Sequence, residues 1–292
     1  MRNNIKKRGE ITTEQIVLII ILVVSFAIIL FFLVRLNLGK TTDQETCYNS
    51  VVTRGAGVIP KESVPLNCKT QYVCITKDGS CEAMTGPQIE RVKTKEEVYS
   101  FLANQMADCW WMFGEGKLNY VGNEFLSKLY CSICSQISFD NSVDMFDNGQ
   151  IDQKSLYEYL AITNVSEEKG SYLEYLVGLK TASTIEESLQ SSNAEFGKID
   201  LSKQYYVVTG IYSEVEIAGW AGGGVVIGAI AGGIFAGGPI GIIIGGIAGG
   251  GGGYFIGTAV QGTGHSYLSP TIVEANSEAF NSLKCASIKT LG

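Results

Sequence analysis

From Ile217 to Val273 the chain carries no Asp, Glu, Lys or Arg, and nineteen glycines fall within residues 217–262. No other feature restricts the fold as strongly. A water-exposed helix loses about 1 kcal/mol for each glycine relative to alanine. A loop of this composition exposes more apolar surface than a soluble protein tolerates. Lipid removes both objections where the glycines pack. Gly224, Gly228 and Gly232 recur every four residues, and beyond Gly237-Gly238-Pro239 so do Gly241, Gly245, Gly249, Gly253 and Gly257. That spacing lays small residues along one helix flank, the packing surface of helices in lipid. Proline breaks a continuing helix, so residues 218–236 and 240–259 are expected to form two apolar rods of about 30 Å each. The expectation is a glycine-zipper helical hairpin over 217–262. Both its ends lie outside, with Trp220 and Tyr254 toward the outer interface.

The flanks carry a different signal. "QYYVVTGIYSEVEI" before the segment and "YLSPTIVEA" after it both read as strands. If they pair, the apolar hairpin is an insertion at the tip of a β-ribbon. Such a tip resembles viral fusion peptides and pore-forming toxins in outline.

A second apolar run, Gln15–Val34, holds twenty residues without a charge, enough helix for a bilayer. Arg2, Lys6, Lys7 and Arg8 precede it and Arg35 closes it, so the positive-inside rule puts the N-terminus in the cytoplasm and Leu36 onward outside. The run lacks the short apolar region and small-residue cleavage site of a secretory signal, so it is expected to remain as an anchor. Its entry, "KKRGEITTEQIVLIII", resembles the class III signal of archaeal and bacterial type IV prepilins. That resemblance covers about the first 35 residues. It implies cleavage after Gly9, with Glu14 as the fifth mature residue, and it departs from the family at Glu10 and at Gly39. Thr12 and Gln15 also read as a capping box with Glu14 facing the helix dipole. The remainder resembles archaeal membrane proteins of unknown function, which implies a location and no chemistry.

From Leu36 onward 17 basic residues face 27 acidic ones. A surface of that sign repels phosphate backbones, so no nucleic-acid partner is expected. All eight cysteines, Cys47, Cys68, Cys74, Cys81, Cys109, Cys131, Cys134 and Cys285, follow the first apolar run. An even number fits a disulfide-bonded ectodomain in an oxidising space. Cys74 and Cys81 flank a loop short enough to close on itself, and Cys285 is placed to tether the C-terminus. The C-x-x-C of Cys131 and Cys134 has redox and zinc readings, but "SQISF" reads as a strand and the only histidine, His265, is distant in sequence. Structural disulfides are the expectation.

Residues 36–93 read as a small disulfide-pinned β region that includes "QYVCI". Over "TKEEVYSFLANQMADCWWMFGEG", apolar residues recur at helical spacing from Val98 to Phe113. Thr94 and Glu97 form a capping box there, and Gly114 is the stop. Trp110 falls on the buried face of this helix. "DMFDNGQID" lacks the third ligand and the terminal glutamate of a calcium loop, so Asp152 is read as the cap of the helix "QKSLYEYLA". Asn164-Val165-Ser166 is a possible glycosylation sequon. Further short helices are expected at "SYLEYLVGLK" and after Thr184, with Glu187 completing a capping box.

These readings combine into a membrane-anchored α+β protein. Its parts are a cytoplasmic leader (1–14), a transmembrane helix (15–35), the β region (36–93), a mixed α/β ectodomain (94–216), the hairpin (217–262) and a C-terminal strand region (263–292). No catalytic, cofactor-binding or metal-ligating residue is assigned, and no cofactor or small-molecule substrate is expected. The expected function is a non-enzymatic cell-surface protein with a structural or assembly role. Its expected partners are the lipid bilayer, further copies of itself and other membrane proteins. The alternative is a membrane-perturbing protein that uses the apolar hairpin.

Overall fold

A computed structural model of the chain describes residues 13–35, 38–57, 61–121, 129–143, 149–191, 196–212, 225–228, 240–245, 255–261 and 265–287. The chain divides into two units, residues 1–43 and 44–292.

In the first unit, α1 (Thr13–Arg35) contains neither glycine nor proline to break it. Its large apolar side chains from Ile16 to Phe31 are 45–70% exposed. Among the described residues no helix is long and apolar enough to cross a membrane, which corrects the expected transmembrane anchor over 15–35.

α2 (Leu38–Gly55) starts in the first unit and continues into the second. It replaces part of the expected β region and carries Gly39 in its first turn. Cys47, Val51 and Arg54 are its buried positions. Their i, i+4, i+7 spacing is one helix face.

The second unit is built on a nine-stranded mixed sheet. Three parallel strands form one side: β1 (Gln71–Thr76), β2 (Gln88–Arg91) and β3 (Tyr130–Phe139), in the order β2-β1-β3. Between β2 and β3 the chain crosses over through α3 (Lys95–Met112). Thr94 caps α3 by accepting from Glu97 N at 3.2 Å, and Gly114 ends it in the left-handed region at φ 79°. Both ends agree with the sequence reading.

β3 then pairs antiparallel with β8 (Tyr205–Tyr212), and β8 pairs antiparallel with β12 (Ser266–Glu274), in a register that sets Tyr212 opposite Ser266. The two flanking strands expected as a ribbon do therefore pair. Between β3 and β8 the chain forms β4 (Gln150–Asp152), α4 (Gln153–Ile162), β5 (Asn164–Ser166), β6 (Gly170–Ser171), α5 (Tyr172–Val177), α6 (Ser183–Ser191) and β7 (Lys198–Asp200). Asp152 caps α4 through Lys154 N at 2.8 Å. α6 starts at Ser183, which puts Thr184 inside the helix rather than at its cap.

The insertion between β8 and β12 is where the expected fold class fails. β9 (Val225–Gly228), β10 (Ile240–Gly245) and β11 (Phe255–Gln261) are antiparallel strands that continue the sheet in the order β12-β11-β10-β9. They are not helices of a zipper hairpin. The physical reason lies in the spacing itself. Four residues return to the same flank of a helix, and they also return to the same face of a strand, whose period is two. The intervening Val225, Val226, Ile227, Ile242, Ile243 and Ile244 are β-branched and favour the pleated alternative.

The main core lies between the sheet and α3, α4 and α5. There Leu102, Leu160 and Leu173 meet Val73, Ile137 and Val207, all fully buried. A smaller core on the opposite face joins Leu129, Val208 and Leu268 to Ala279 and Leu283 around the short helix α7 (Glu278–Ser282). After it, β13 (Ala286–Ser287) pairs parallel with the start of β3.

Candidate functional site: the glycine-rich sheet extension and its disulfide-pinned base

Register fixes what the glycines do. Gly241 pairs with Ala259, Ile243 with Gly257 and Gly245 with Phe255, while Ile243 also faces Ile227 across the β9 side. Alternation puts positions 241, 243 and 245 on one face with 255, 257 and 259, and Gly228 falls on the other, opposite Ile242. The expected helix-packing role of Gly228, Gly241, Gly245 and Gly257 is thus replaced by positions in a sheet. Gly224, Gly232, Gly249 and Gly253 lie outside the described residues, as do Gly9, Trp220 and Tyr254. α6 lies along β9 and β10, and α5 along β11 and β12.

The sheet has two unlike edges. β2 carries Glu90 and Arg91. β9 carries no charged residue, and no strand pairs with its outer side among the described residues. An uncharged outer strand is a ready template for pairing with another chain, and natural sheets usually guard against it with charges.

The base of the extension is held covalently. Cys47–Cys68, Cys74–Cys81, Cys109–Cys134 and Cys131–Cys285 are disulfides, and no cysteine is free. Cys74 and Cys81 close the small loop that the sequence suggested. Cys131 and Cys134 pair with different partners, so neither offers a thiolate for redox or zinc chemistry. Cys285 does tether the C-terminus, through Cys131. A cavity of about 190 Å³ lies among three of these bridges, lined by Cys47, Cys68, Met112, Phe113, Cys131 and Cys134 among others. Lys69, Thr70 and Ser132 also line it, and no sequence signal marks the cavity in advance.

His265 Nε2 lies 2.8 Å from Asn119 Nδ2. Asn119 Oδ1 already accepts from Val121 N at 3.1 Å, so the amide presents its N–H to the ring. Nε2 is then the accepting nitrogen of this contact. This contact sets the position of His265 beside β12. Among the described residues, no group of three or more His, Cys, Asp or Glu side chains is placed to hold a metal.

Two polar knots complete the frame. Asp78 Oδ1 accepts from Ser80 N, Ser80 Oγ and Thr76 Oγ1, and Asp140 Oδ1 accepts from Ser142 N. The Ser80 bonds hold the Asp78 carboxyl below its ordinary range, and the Ser142 N–H does the same for Asp140. Together they fasten the Cys74–Cys81 loop to the end of β3.

The second knot centres on Glu115, whose φ of 55° turns the chain after α3. Its Oε2 meets Lys117 Nζ at 2.7 Å, and its Oε1 meets Lys169 Nζ at 2.8 Å and Tyr175 Oη at 2.7 Å. Burial pushes this carboxyl up, but the bonds from Lys117, Lys169 and Tyr175 outweigh it and hold the pKa at about 2.

A group depressed in the folded state stabilises above its unfolded pKa, near 4.5, and that contribution fades as pH falls toward about 2. With the lysines partly in solvent, the contribution is about 1–2 kcal/mol. Glu115→Gln is therefore expected to cost about that much at pH 7 and to flatten the acid limb of stability between pH 4.5 and 2. Urea unfolding of both proteins across that range measures it. An unchanged acid limb would remove Glu115 as its source.

No protein-family model, curated protein or solved structure matches this chain.

Proposed function

We propose that the chain is a non-enzymatic cell-surface protein with a structural or assembly role, and that it associates with copies of itself through the β9 edge. The observation that carries this reading is the asymmetry of the sheet, charged at β2 and uncharged at β9. Edge-to-edge pairing continues the backbone ladder and needs no complementary side chains. The four disulfides support an oxidising location outside the cell. The exposed apolar side chains of α1 support lipid as a second partner. A membrane-perturbing role is less well supported, because β11 would have to leave partners on both sides, β10 and β12.

The full chain in mild detergent is expected to be oligomeric by light scattering. Ile227→Lys, which puts a charge on the edge strand, is expected to shift it toward monomer by tenfold or more in dissociation constant. A parent chain that stays monomeric at tens of micromolar overturns the reading. Intact mass on the same sample separates the pilin-like route, which requires a chain beginning at Glu10, from assembly of the unprocessed chain.

A further inference from the structure

The hairpin of β5 and β6 has no part in the sheet, the disulfide frame or the β9 edge. It contains Asn164-Val165-Ser166, the one Asn-x-Ser/Thr triplet in the 292 residues. We propose that Asn164 is a glycan acceptor and that the hairpin is shaped to carry the first sugar. The inference rests on the surface location proposed above.

Three observations carry it beyond the motif. First, the burial pattern of β5 is exposed, intermediate, exposed, so Asn164 and Ser166 present their side chains on the same solvent face. Second, both polar groups are available. The Asn164 carboxamide has no hydrogen-bond partner among the described residues. Ser166 Oγ accepts from Lys169 N at 3.2 Å, which leaves its own O–H free to donate. Glu167, Glu168 and Lys169 form an exposed turn beyond it, so nothing described crowds the approach. Third, Ile162 is 83% exposed, the most exposed large apolar side chain among the described residues of the second unit. It lies two residues before Asn164, where α4 gives way to β5. It lines a groove with Ala161, Ala182 and Phe196, and an uncovered apolar side chain two residues from the acceptor fits the apolar face and acetamido methyl of an N-acetylated hexose linked to Asn164.

The transfer is a substitution at the sugar's anomeric carbon. The Asn164 amide nitrogen bonds to the anomeric carbon of a saccharide carried on a polyprenyl diphosphate. The anomeric C–O bond to the diphosphate breaks and takes its electron pair, and the amide proton passes to a base of the transferase. Ser166 supplies the hydroxyl that orients the amide. Ile162 acts afterwards, as the surface that the first sugar covers.

The test uses the full chain isolated from its own cells. Mass spectrometry of the peptide containing Asn164 is expected to show a glycan. Asn164→Gln and Ser166→Ala are each expected to abolish it, and Ser166→Thr is expected to keep it. Enzymatic removal of the sugar is expected to raise binding of an apolar fluorescent dye in the parent and to leave an Ile162→Ser variant unchanged. Equal dye binding before and after removal overturns the role given to Ile162. An unmodified Asn164 overturns the acceptor site. Labelling of the same cells with an impermeant amine reagent separates the two failures. A labelled but unglycosylated chain defeats this inference alone, and an unlabelled chain defeats the surface location with it.

Discussion

Replacing Cys131 and Cys285 together by serine is expected to cost about 5 kcal/mol of unfolding free energy. The bridge joins residues 154 apart, by far the longest separation of the four. A cross-link stabilises chiefly by restricting the unfolded chain, and the loss grows with the logarithm of the loop it closes. The same relation gives about 3.5 kcal/mol for the separations of 21 and 25 residues and about 2.5 kcal/mol for the separation of 7. Against a total stability of about 5–15 kcal/mol, the long bridge decides whether the fold survives.

Its removal also acts locally. Cys285 lies between α7 and β13, so the tether holds Ala279 and Leu283 over Val208 and Leu268. Without it the smaller core loses its cover. Guanidinium unfolding of the four double-serine variants should therefore rank them in the order of their loop lengths. A Cys131→Ser/Cys285→Ser protein no less stable than the Cys74→Ser/Cys81→Ser protein would refute the loop-closure account.

That ranking was not open to a reader of the sequence, because eight cysteines pair in 105 ways. What was legible were local signals whose physics is complete within one element. Thr94 with Glu97, Asp152 before its helix, and the apolar spacing from Val98 to Phe113 all involve residues a few positions apart. The runs of β-branched and aromatic residues in β3, β8 and β12 belong to the same class. What was not legible depends on partners far along the chain. Glu115 reads as one acid in a glycine turn until Lys169 and Tyr175, 54 and 60 residues away, close on it. α2 was obscured differently. Its sequence is polar, yet Cys47, Val51 and Arg54 carry a helical face that a count limited to aliphatic residues passes over.

The glycine segment shows a third kind of failure. Its signal was strong and its period was ambiguous. A four-residue repeat fits a helix flank and a strand face equally, and only the β-branched residues between the glycines favour one of them. The cost of glycine in a helix was the correct physical objection to a soluble helix. Its resolution was a sheet continued by backbone pairing rather than a helix pair in lipid. The consequence for function is direct. Helices that pack through glycine bury their contact between themselves, whereas a sheet whose outermost described strand is β9 presents an edge.

Trp110→Ala is expected to cost about 3–5 kcal/mol, the range for deleting a large buried aromatic. Trp110 is 3% exposed and meets the Tyr267 ring edge-on at 6.4 Å, which joins α3 to β12. The chain folds closely over it. A β-carbon at Gly116, whose φ is +70°, would come within 3.0 Å of the Trp110 ring, so the neighbouring turn has no slack with which to refill a cavity. Trp111 is its control. It is only partly buried and stacks on Tyr48 at 4.4 Å, with 12° between the rings. Trp111→Ala gives up that stacking and part of its burial, an expected loss of about 1–2 kcal/mol.

The adjacent tryptophans thus separate two accounts of the pair. If both serve the fold, stability falls in the order given and neither variant changes retention on immobilised saccharides. If the pair formed a saccharide-binding platform, Trp111→Ala would leave the unfolding midpoint where it was and abolish retention. Urea unfolding and saccharide-column retention of the two variants decide between them. The expected result is a large loss of stability for Trp110→Ala, a small one for Trp111→Ala, and no change in retention for either.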